Sequence, residues 1–575
     1  MTDNRVWKLP ESAPSPAELA EAWGRVIENG VAAIHAGASS SRSVAFDPTA
    51  PARALFVFQA QLWSNPMSVL QASQAAASEW MELWGAAARR AAGATVEPMI
   101  APERGDRRFG DPAWSEDAAF DYLKQAYLLA SRQATDLVAN AEGIDEATRT
   151  RAEFFTSAYL NALSPANFAF TNPEAIRRAI ETGSISLLSG LANLLADAAS
   201  EPGLVQRRSS EDFELGVTLA ATPGSVVWQN ELMQLIQYAP ATGEVWRRPL
   251  LYIPPLVNKY YLLDLQPKSS LIRWLVGEGH TLFVISWINP GPELAEKGLD
   301  DYLALGPAAA LNAIEKATGE TSVDLFGFCM GGTLAAMAAA RAEPGRVASL
   351  TTIGSMFDFA NMGQWATFKE PTQLAAMEKH LEAQGVMAAH ELQALFSVVR
   401  ANDLIWSSVV SHYLLDKEAP PSDILHWFAD GAHIPKAFLL EWTKRILIDN
   451  ELTRPGALAM ATPALVISLK DDHVSAWQAT YDGAQLLGGE ARFLLGGSGH
   501  NAGVINPPSA NKHGYWTNAA MPETAEGWFD SATRHEGSWW PQWQAWLTRD
   551  GGEKAKARKL KKEIEPAPGS YVRMR

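Results

Sequence analysis

The stretch DLFGFCMGGT, residues 324–333, joins an apolar run to a helix-like segment at Leu334–Arg341. Its centre reads Gly-x-Cys-x-Gly, with Gly327 and Gly331 on either side of Cys329. Small residues flank a nucleophile at a sharp strand-to-helix turn because two backbone segments approach each other closely there. The first turn of the helix also favours a negatively charged sulfur. The stretch therefore predicts a nucleophile elbow of the α/β-hydrolase type, with cysteine in place of the usual serine.

Apolar runs of strand length recur from residue 206 onward, and helical patterns separate them. They are Pro249–Ile253, Thr281–Trp287, Ser322–Phe328, Val347–Ile353, Ala464–Leu469 and Arg492–Leu495. Continuous apolar runs of this length predict a parallel sheet that is covered on both faces. We therefore expect an α/β fold, with an α/β-hydrolase-type catalytic domain at residues 206–575.

Helical patterns dominate two other parts of the chain. Residues 1–205 place apolar side chains at helical spacings, for example over Asp117–Asn140 and Pro173–Ala199, which predicts a mostly helical N-terminal domain. Residues 356–455 interrupt the strand rhythm with tryptophan-rich, mainly helical sequence, and we interpret them as a lid inserted over the sheet. The C-terminal residues 551–575 begin with a basic segment and are expected to form an exposed tail.

A nucleophile requires a base, and the base requires an acid that orients it. The predicted strand Ala464–Leu469 is followed by Lys-Asp-Asp-His, which ends in Asp472 and His473. The next predicted strand leads into a glycine-rich loop that contains His500. Nucleophile, acid and then histidine is the chain order of α/β-hydrolase triads, so we predict Cys329, Asp472 and His500 as the catalytic residues.

Each of these positions also has an alternative interpretation. Cys329 could be a buried structural cysteine, which is a common role for this residue type. Asp471 competes with Asp472 for the role of the acid. His473 is the competing histidine, either as a second proton carrier or as a support for the loop that holds Asp472.

An oxyanion hole should use backbone N–H groups from two places in the chain. The first is the residue after the nucleophile, Met330. The second should lie in the loop after strand Pro249–Ile253, which begins with two prolines that have no N–H group. Leu256 or Val257 is therefore the candidate donor, and Asn258 could hold the loop or contact the substrate.

Composition excludes several other classes of protein. The formal net charge of −16 argues against broad nucleic-acid binding. The single cysteine excludes an intramolecular disulfide and a cysteine-based zinc site, and we expect no metal. We find neither a signal peptide nor a transmembrane segment, so we expect a cytoplasmic protein. The 21 tryptophans, clustered for instance at residues 539–546, are expected mainly to pack in the core.

Several further motifs lie along the chain. They are LSPANF at 163–168, TNPE at 171–174, NKYY at 258–261, DLQP at 264–267, NDL at 402–404, GVINPP at 503–508, GSWWP at 537–541 and EPAPG at 565–569. With these motifs and the cysteine elbow, the chain resembles the class I polyhydroxyalkanoate synthases over nearly its whole length.

This resemblance implies a polyester synthase. Its residues Cys329, Asp472 and His500 would transfer acyl groups from 3-hydroxyacyl-CoA, with a short substrate such as 3-hydroxybutyryl-CoA. Coenzyme A would be the carrier and the released product, and no other cofactor is implied. The family also implies a homodimer that becomes attached to the polyester granule it makes.

Some residues depart from the family pattern. Val-Ser-Ala-Trp at 474–477 lacks the proline that usually precedes the tryptophan, and Trp-Phe-Ala-Asp at 427–430 replaces Trp-Asn-Gly-Asp. The segment between residue 452 and Asp472 is also shorter than usual. Two rival functions stay open at this point: an intracellular polyester depolymerase or thioesterase, and a granule-associated paralogue without catalytic activity.

Overall fold

The computed structural model describes residues 13–39, 47, 49–103, 105–200, 212–418, 421–549, 553–560 and 563–575. The α-helices of these residues are α1 Pro16–Ser39, α2 Ala50–Leu62, α3 Pro66–Ala91, α4 Ala113–Glu116, α5 Ala118–Ala139, α6 Glu146–Ala162, α7 Pro173–Glu181, α8 Ile185–Ser200, α9 Leu271–Gly277, α10 Leu299–Leu303, α11 Ala309–Thr318, α12 Met330–Arg341, α13 Pro371–Gln384, α14 Ala389–Val399, α15 Asp423–Ala429, α16 Lys436–Glu441, α17 Trp477–Ala484, α18 Ala525–Asp530 and α19 Trp540–Leu547. Turns of π-helix occur at Ala304–Ala308, Asn402–Trp406, Val409–Leu414 and Trp442–Ile448.

The strands are β1 Gly224–Gln229, β2 Met233–Tyr238, β3 Glu244–Trp246, β4 Leu250–Ile253, β5 Leu282–Trp287, β6 Val323–Phe328, β7 Val347–Ile353, β8 Val386–Met387, β9 Ile434–Pro435, β10 Ala464–Leu469, β11 Ala491–Gly496, β12 Tyr515–Thr517, β13 Thr533–His535, β14 Lys554–Lys556 and β15 Glu565–Pro566. One large mixed sheet has the order β13-β12-β11-β10-β7-β6-β4-β5-β2-β1-β15.

The centre of the large sheet is parallel and both of its edges are antiparallel. Strands β5, β4, β6, β7, β10 and β11 run parallel to one another. The pairings of β2, β1 and β15 on one side and of β12 and β13 on the other are antiparallel. Every residue of β6 is buried, as expected for a central strand covered on both faces. The loops that follow β4, β6, β7, β10 and β11 therefore emerge at the same edge of the sheet.

The predicted fold class is confirmed, and the predicted parallel strands match the observed ones to within one residue at each end. The antiparallel edge strands were missed. Strands β12 and β13 have only three residues each, so they carry no pattern long enough to distinguish from a loop. Strands β1 and β2 interleave glutamines with apolar residues, and their pairing with β5 and β15 is what places them in the sheet.

The N-terminal region is helical, as predicted. The segment Pro173–Ala199 forms two helices, α7 and α8, because Gly183 and Ser184 both adopt positive φ angles (56° and 71°) between them. Across the described residues no single helix is long and apolar enough to cross a membrane. The α7–α8 pair passes that test of length and composition only when its two halves, bent by 111°, are counted together.

Contacts divide the chain into two compact units. The first comprises the described parts of Met1–Arg207 with Gln364–Ala376 and Ala394–Pro420, and the second comprises the described remainder. The predicted domain boundary near residue 205 lies outside the described residues. The predicted lid, 356–455, is mainly helical, but it is shared between the two units and is not one continuous insertion.

Most described residues of the predicted C-terminal tail are exposed or half-buried, but the tail also pairs with the sheets. Strand β14 pairs with β3, and β15 pairs with β1 at the edge of the large sheet. Farther along, the backbone N–H of Tyr571 donates to the buried Gln234 side chain at 3.1 Å, and Val572 is fully buried. The basic composition suggested solvent exposure, whereas backbone pairing and these buried contacts hold the segment against the sheet. Residues 551–552 and 561–562 lie outside the described part of the chain.

The turn between β6 and α12 requires glycine for steric reasons. A Cβ atom on Gly331 would overlap the backbone of Ile253 and Pro254, at the end of β4. A Cβ atom on Gly327 would overlap the backbone of Gly331 and Gly332 in the first turn of α12. The glycines that predicted the elbow therefore allow β4, β6 and α12 to approach one another.

We expect Gly331→Ala to lower the free energy of unfolding by about 1–3 kcal/mol, because the added methyl group meets rigid backbone atoms. Denaturant unfolding of the full chain, followed by circular dichroism, measures this. Gly277→Ala is the matched control, since a Cβ atom there meets nothing within 4 Å at the end of α9. Equal unfolding midpoints for the two variants would contradict the close approach described for Gly331.

Candidate active site

Cys329 lies at the tip of the elbow in a strained backbone conformation. Its φ and ψ angles are 54° and −131°, and a non-glycine residue adopts such a positive φ only when its surroundings hold it there. The backbone N–H of Cys329 donates to the carbonyl of Ile353 at the end of β7 (2.8 Å), and its carbonyl accepts from the N–H of Gly332 (2.9 Å). The side chain is half-buried, so the sulfur is held at the edge of the sheet without being sealed in the core.

Asp472 follows β10 and is the buried acid of this edge. Its Oδ1 accepts hydrogen bonds from the backbone N–H groups of Val474 (2.8 Å) and Ser475 (2.9 Å). Its Oδ2 lies 2.6 Å from Nδ1 of His500. Asp471 is exposed, so geometry favours Asp472 over its neighbour as the partner of a histidine.

His500 connects the acid to the sulfur. Its ring lies against Phe328, with 4.7 Å between the ring centroids, and close enough to Cys329 for the sulfur to affect the pKa of the imidazole. Burial disfavours the charged imidazolium, but the adjacent Asp472 carboxylate and the Cys329 sulfur outweigh burial and raise the pKa of His500 above its ordinary value. A protonated imidazole beside a cysteine sulfur stabilises the thiolate form, which is the reactive nucleophile.

The loop that carries His500 is anchored by two buried tryptophans. The indole N–H of Trp539 donates to the carbonyl of Gly503 (2.8 Å), and that of Trp540 donates to the carbonyl of Val504 (3.0 Å). Both indole rings are fully buried. The expectation that this tryptophan cluster packs in the core is confirmed, but the sequence did not show that two of its members hold the histidine loop.

Gly354 is a further residue that the sequence did not indicate. It follows β7 with a φ of 55°, and a Cβ atom there would lie 3.2 Å from Cε1 of His500 and 3.3 Å from Oδ2 of Asp472. Its N–H donates to the carbonyl of Ile467 in β10 (2.8 Å). A side chain at this position would crowd the acid–histidine pair, so glycine gives the pair room.

The predicted oxyanion donors lie on two adjacent segments. Met330 begins α12, and the close approach of Gly331 to Pro254 places the loop after β4 beside that first helical turn. Among the described residues, no group accepts a hydrogen bond from the backbone N–H of Met330, Leu256 or Val257. These N–H groups are therefore available to a substrate oxygen. The contacts do not distinguish Leu256 from Val257, so both stay candidates for the second donor of the oxyanion hole.

The remaining predicted site residues have supporting positions. Asn258 is buried and forms an isolated antiparallel bridge with Gly431. His473 is exposed directly after Asp472, and His500 is the histidine that reaches the acid. Within the described ranges, no group of three or more His, Cys, Asp or Glu side chains is placed to hold a metal ion.

The fold and this edge of the sheet define the class: an α/β-hydrolase-fold protein with a cysteine at the nucleophile elbow. Residues 241–507 match the model of the α/β hydrolase fold, and residues 105–275 match the poly-beta-hydroxybutyrate polymerase (PhaC) N-terminus. The poly(3-hydroxyalkanoate) polymerase of Methylorubrum extorquens is 37% identical over 90% of this chain and 89% of its own. The poly(3-hydroxyalkanoate) polymerase subunit PhaC of Cupriavidus necator is 39% identical over 81% and 83%.

The chain belongs to the poly(3-hydroxyalkanoate) polymerase family. Among solved structures, a monoacylglycerol lipase of Paleococcus ferrophilus covers 47% of this chain and 90% of its own, with a TM-score of 0.31 and 15% identity. The predicted family is therefore confirmed by relatives that match over most of their length.

We expect Asp472→Asn to slow the alkylation of Cys329 by iodoacetamide by up to about 10-fold at pH 8. The native pKa of His500 is raised to about 10, and loss of the neighbouring carboxylate lowers it by about 1–3, so a smaller share of imidazolium remains at pH 8 to stabilise the thiolate. Mass spectrometry of the single cysteine gives the rate.

Asp471→Asn is the matched control, because it removes the same charge from the exposed neighbour.

Because the pKa of His500 is raised in the native protein, the imidazolium is fully present below its ordinary pKa of about 6.5 and is lost as pH rises through the raised value. The difference between native chain and variant should therefore shrink at high pH. Equal rates at pH 8 would show that Asp472 does not set the charge of His500.

Proposed function

We propose that this chain polymerises 3-hydroxyacyl groups from coenzyme A thioesters, with Cys329 as nucleophile, His500 as base and Asp472 as the acid that orients it. The observation that carries the proposal is the Asp472–His500 contact of 2.6 Å beside a cysteine at a strained elbow. Family membership supports the polyester product, since the relatives are named as poly(3-hydroxyalkanoate) polymerases.

The first half of the reaction is acyl transfer to the enzyme. The Cys329 thiolate attacks the thioester carbonyl, and the N–H of Met330 with that of Leu256 or Val257 would hold the resulting oxyanion. The carbon–sulfur bond to coenzyme A breaks, and the departing thiolate takes the proton of the His500 imidazolium. This exchange replaces one thioester with another, so it is nearly balanced in free energy.

The second half forms the ester bond. His500, now neutral, accepts the proton of the 3-hydroxyl group of another acyl unit, and that oxygen attacks the acyl-enzyme carbonyl. Cys329 leaves as a thiolate and is again stabilised by the imidazolium. Conversion of a thioester into an oxygen ester is favourable, so each cycle drives chain growth as long as water is kept away from the acyl-enzyme.

The substrate and the assembly belong to the same proposal. We infer a short acyl chain such as 3-hydroxybutyryl-CoA, a cofactor-free site apart from coenzyme A as carrier and product, and an acyltransferase class of reaction. We also infer a cytoplasmic homodimer that attaches to the surface of its own polyester granule. These inferences rest on the sequence motifs and on the family, and the rival hydrolase would use the same three residues.

The test supplies 3-hydroxybutyryl-CoA and, separately, 3-hydroxyoctanoyl-CoA to the full chain, and measures released coenzyme A, free hydroxy acid and insoluble polymer. We expect coenzyme A and polymer from the short substrate and much less from the longer one. Cys329→Ala should abolish both products, since it removes the nucleophile. Cys329→Ser retains the size of the side chain and should be far slower, because a hydroxyl is harder to deprotonate than a thiol.

The outcomes separate the rival functions. Coenzyme A together with free acid and no polymer would identify a hydrolase, whereas no release from either substrate would favour a paralogue without catalytic activity. Polymer from the octanoyl substrate alone would overturn the short-chain inference and leave the polymerase intact. Light scattering before and after substrate addition tests the homodimer.

A further inference from the structure

The loop after β4 is fixed at both ends by side chains from other elements. At its start, the indole N–H of Trp287 donates to the carbonyl of Pro254 at 3.0 Å. At its end, Lys259 forms an ion pair with Asp430, with 2.6 Å between Nζ and Oδ1. Leu256 and Val257, the candidate oxyanion donors, lie between these two anchors.

Solvent is largely excluded from the Lys259–Asp430 pair, and both carboxylate oxygens of Asp430 accept a hydrogen bond. The side chains are 5% and 15% exposed, and the second oxygen of Asp430 accepts from the hydroxyl of Tyr261 at 2.8 Å. Burial lowers the pKa of Lys259, and Asp430 opposes that effect. A charge-assisted contact in such surroundings is stronger and more restrictive in geometry than an exposed ion pair.

Further hydrogen bonds connect the loop to the segment from Trp427 to Ala432. The Trp427 indole N–H donates to the carbonyl of Lys259 (2.8 Å), and the N–H of Ala432 donates to the carbonyl of Val257 (3.2 Å). Gly431 also forms the isolated bridge with Asn258. The segment thus contacts the loop at consecutive residues, including the carbonyl of a candidate donor itself.

The prolines explain why these contacts matter. Pro254 and Pro255 have no N–H group, so the first half of the loop cannot be held by backbone hydrogen bonds that it donates. The direction of the Leu256 and Val257 N–H groups therefore depends on the anchors on either side. A small displacement is sufficient to weaken an oxyanion hole, because its donors must lie within hydrogen-bonding distance of the developing charge.

We infer that Asp430 is a positioning residue for the oxyanion hole: through Lys259 and Tyr261 it fixes the loop that presents the N–H group of Leu256 or Val257. This inference rests on the proposed acyl transfer at Cys329. The carboxylate of Asp430 bonds to Lys259 and Tyr261 and to neither the cysteine nor the acid–histidine pair, so its effect passes through the loop.

The experiment compares native chain and Asp430→Asn in coenzyme A release from 3-hydroxybutyryl-CoA and in alkylation of Cys329 by iodoacetamide. We expect kcat to fall about 10- to 100-fold and KM to stay within about threefold of the native value. This loss of kcat does not exceed the loss that follows complete removal of one oxyanion-hole donor. Alkylation should stay within about twofold of the native rate, because it needs the thiolate and no oxyanion hole. A general loss of structure would lower both kcat and the alkylation rate, so a fall in kcat alone points to the oxyanion hole.

Further variants keep the inference testable if Asp430→Asn folds poorly. Tyr261→Phe removes one hydroxyl and should lower kcat about 3- to 10-fold with unchanged alkylation. The double variant Lys259→Met with Asp430→Leu replaces the pair by apolar side chains and should recover thermal stability but not kcat. Glu320→Gln is the matched control, because it breaks a similarly half-buried pair with Arg558 (2.8 Å) in the same unit and should leave kcat unchanged.

Four other results would contradict the inference or the proposed function on which it rests. An unchanged kcat in Asp430→Asn, or recovery of kcat in the apolar double variant, would overturn it. A parallel loss of kcat and alkylation in Tyr261→Phe would show that the residues support the nucleophile or the fold. If the native chain itself releases no coenzyme A, the proposed function fails and the inference fails with it, which the native control alone reveals.

Discussion

The close approach of three backbone segments at the elbow is the constraint on which the rest of the site depends. Gly327 and Gly331 have no side chains to separate β6, the first turn of α12 and the end of β4. The same approach forces Cys329 to a positive φ and places the loop after β4 beside Met330. One steric condition therefore sets the exposure of the sulfur and the position of the candidate oxyanion donors together.

The acid and the histidine depend on a second layer of contacts. The two backbone N–H groups that bind Asp472 fix one carboxylate oxygen, so the other points at His500. The indole N–H groups of Trp539 and Trp540 donate to backbone carbonyls of the loop that carries His500, and so fix that loop. Because these partners are buried, the charges of the pair are weakly screened, and their mutual attraction outweighs the burial that opposes a charged imidazole.

The sequence predicted what local pattern and chain order determine. Long apolar strands, the glycines around Cys329 and the order of Cys329, Asp472 and His500 all leave short-range signals. Features that depend on distant partners left none: the three-residue edge strands, the pairing of Glu565–Pro566 with β1, and the space kept by Gly354. Lys259 and Asp430 both lie in motifs that the sequence showed, but they are far apart in the chain, so their pairing could not be predicted.

The position of the Cys329 sulfur beside His500 has a consequence for oxidative damage. A thiolate at Cys329, as proposed above, would also react with peroxides, and the first product is a sulfenic acid. The sequence contains one cysteine, so the chain offers no second thiol to capture that product as an internal disulfide. Reduction back to the thiol would then depend on a thiol from solution. Without it, further oxidation to sulfinic and sulfonic acids would inactivate the site irreversibly.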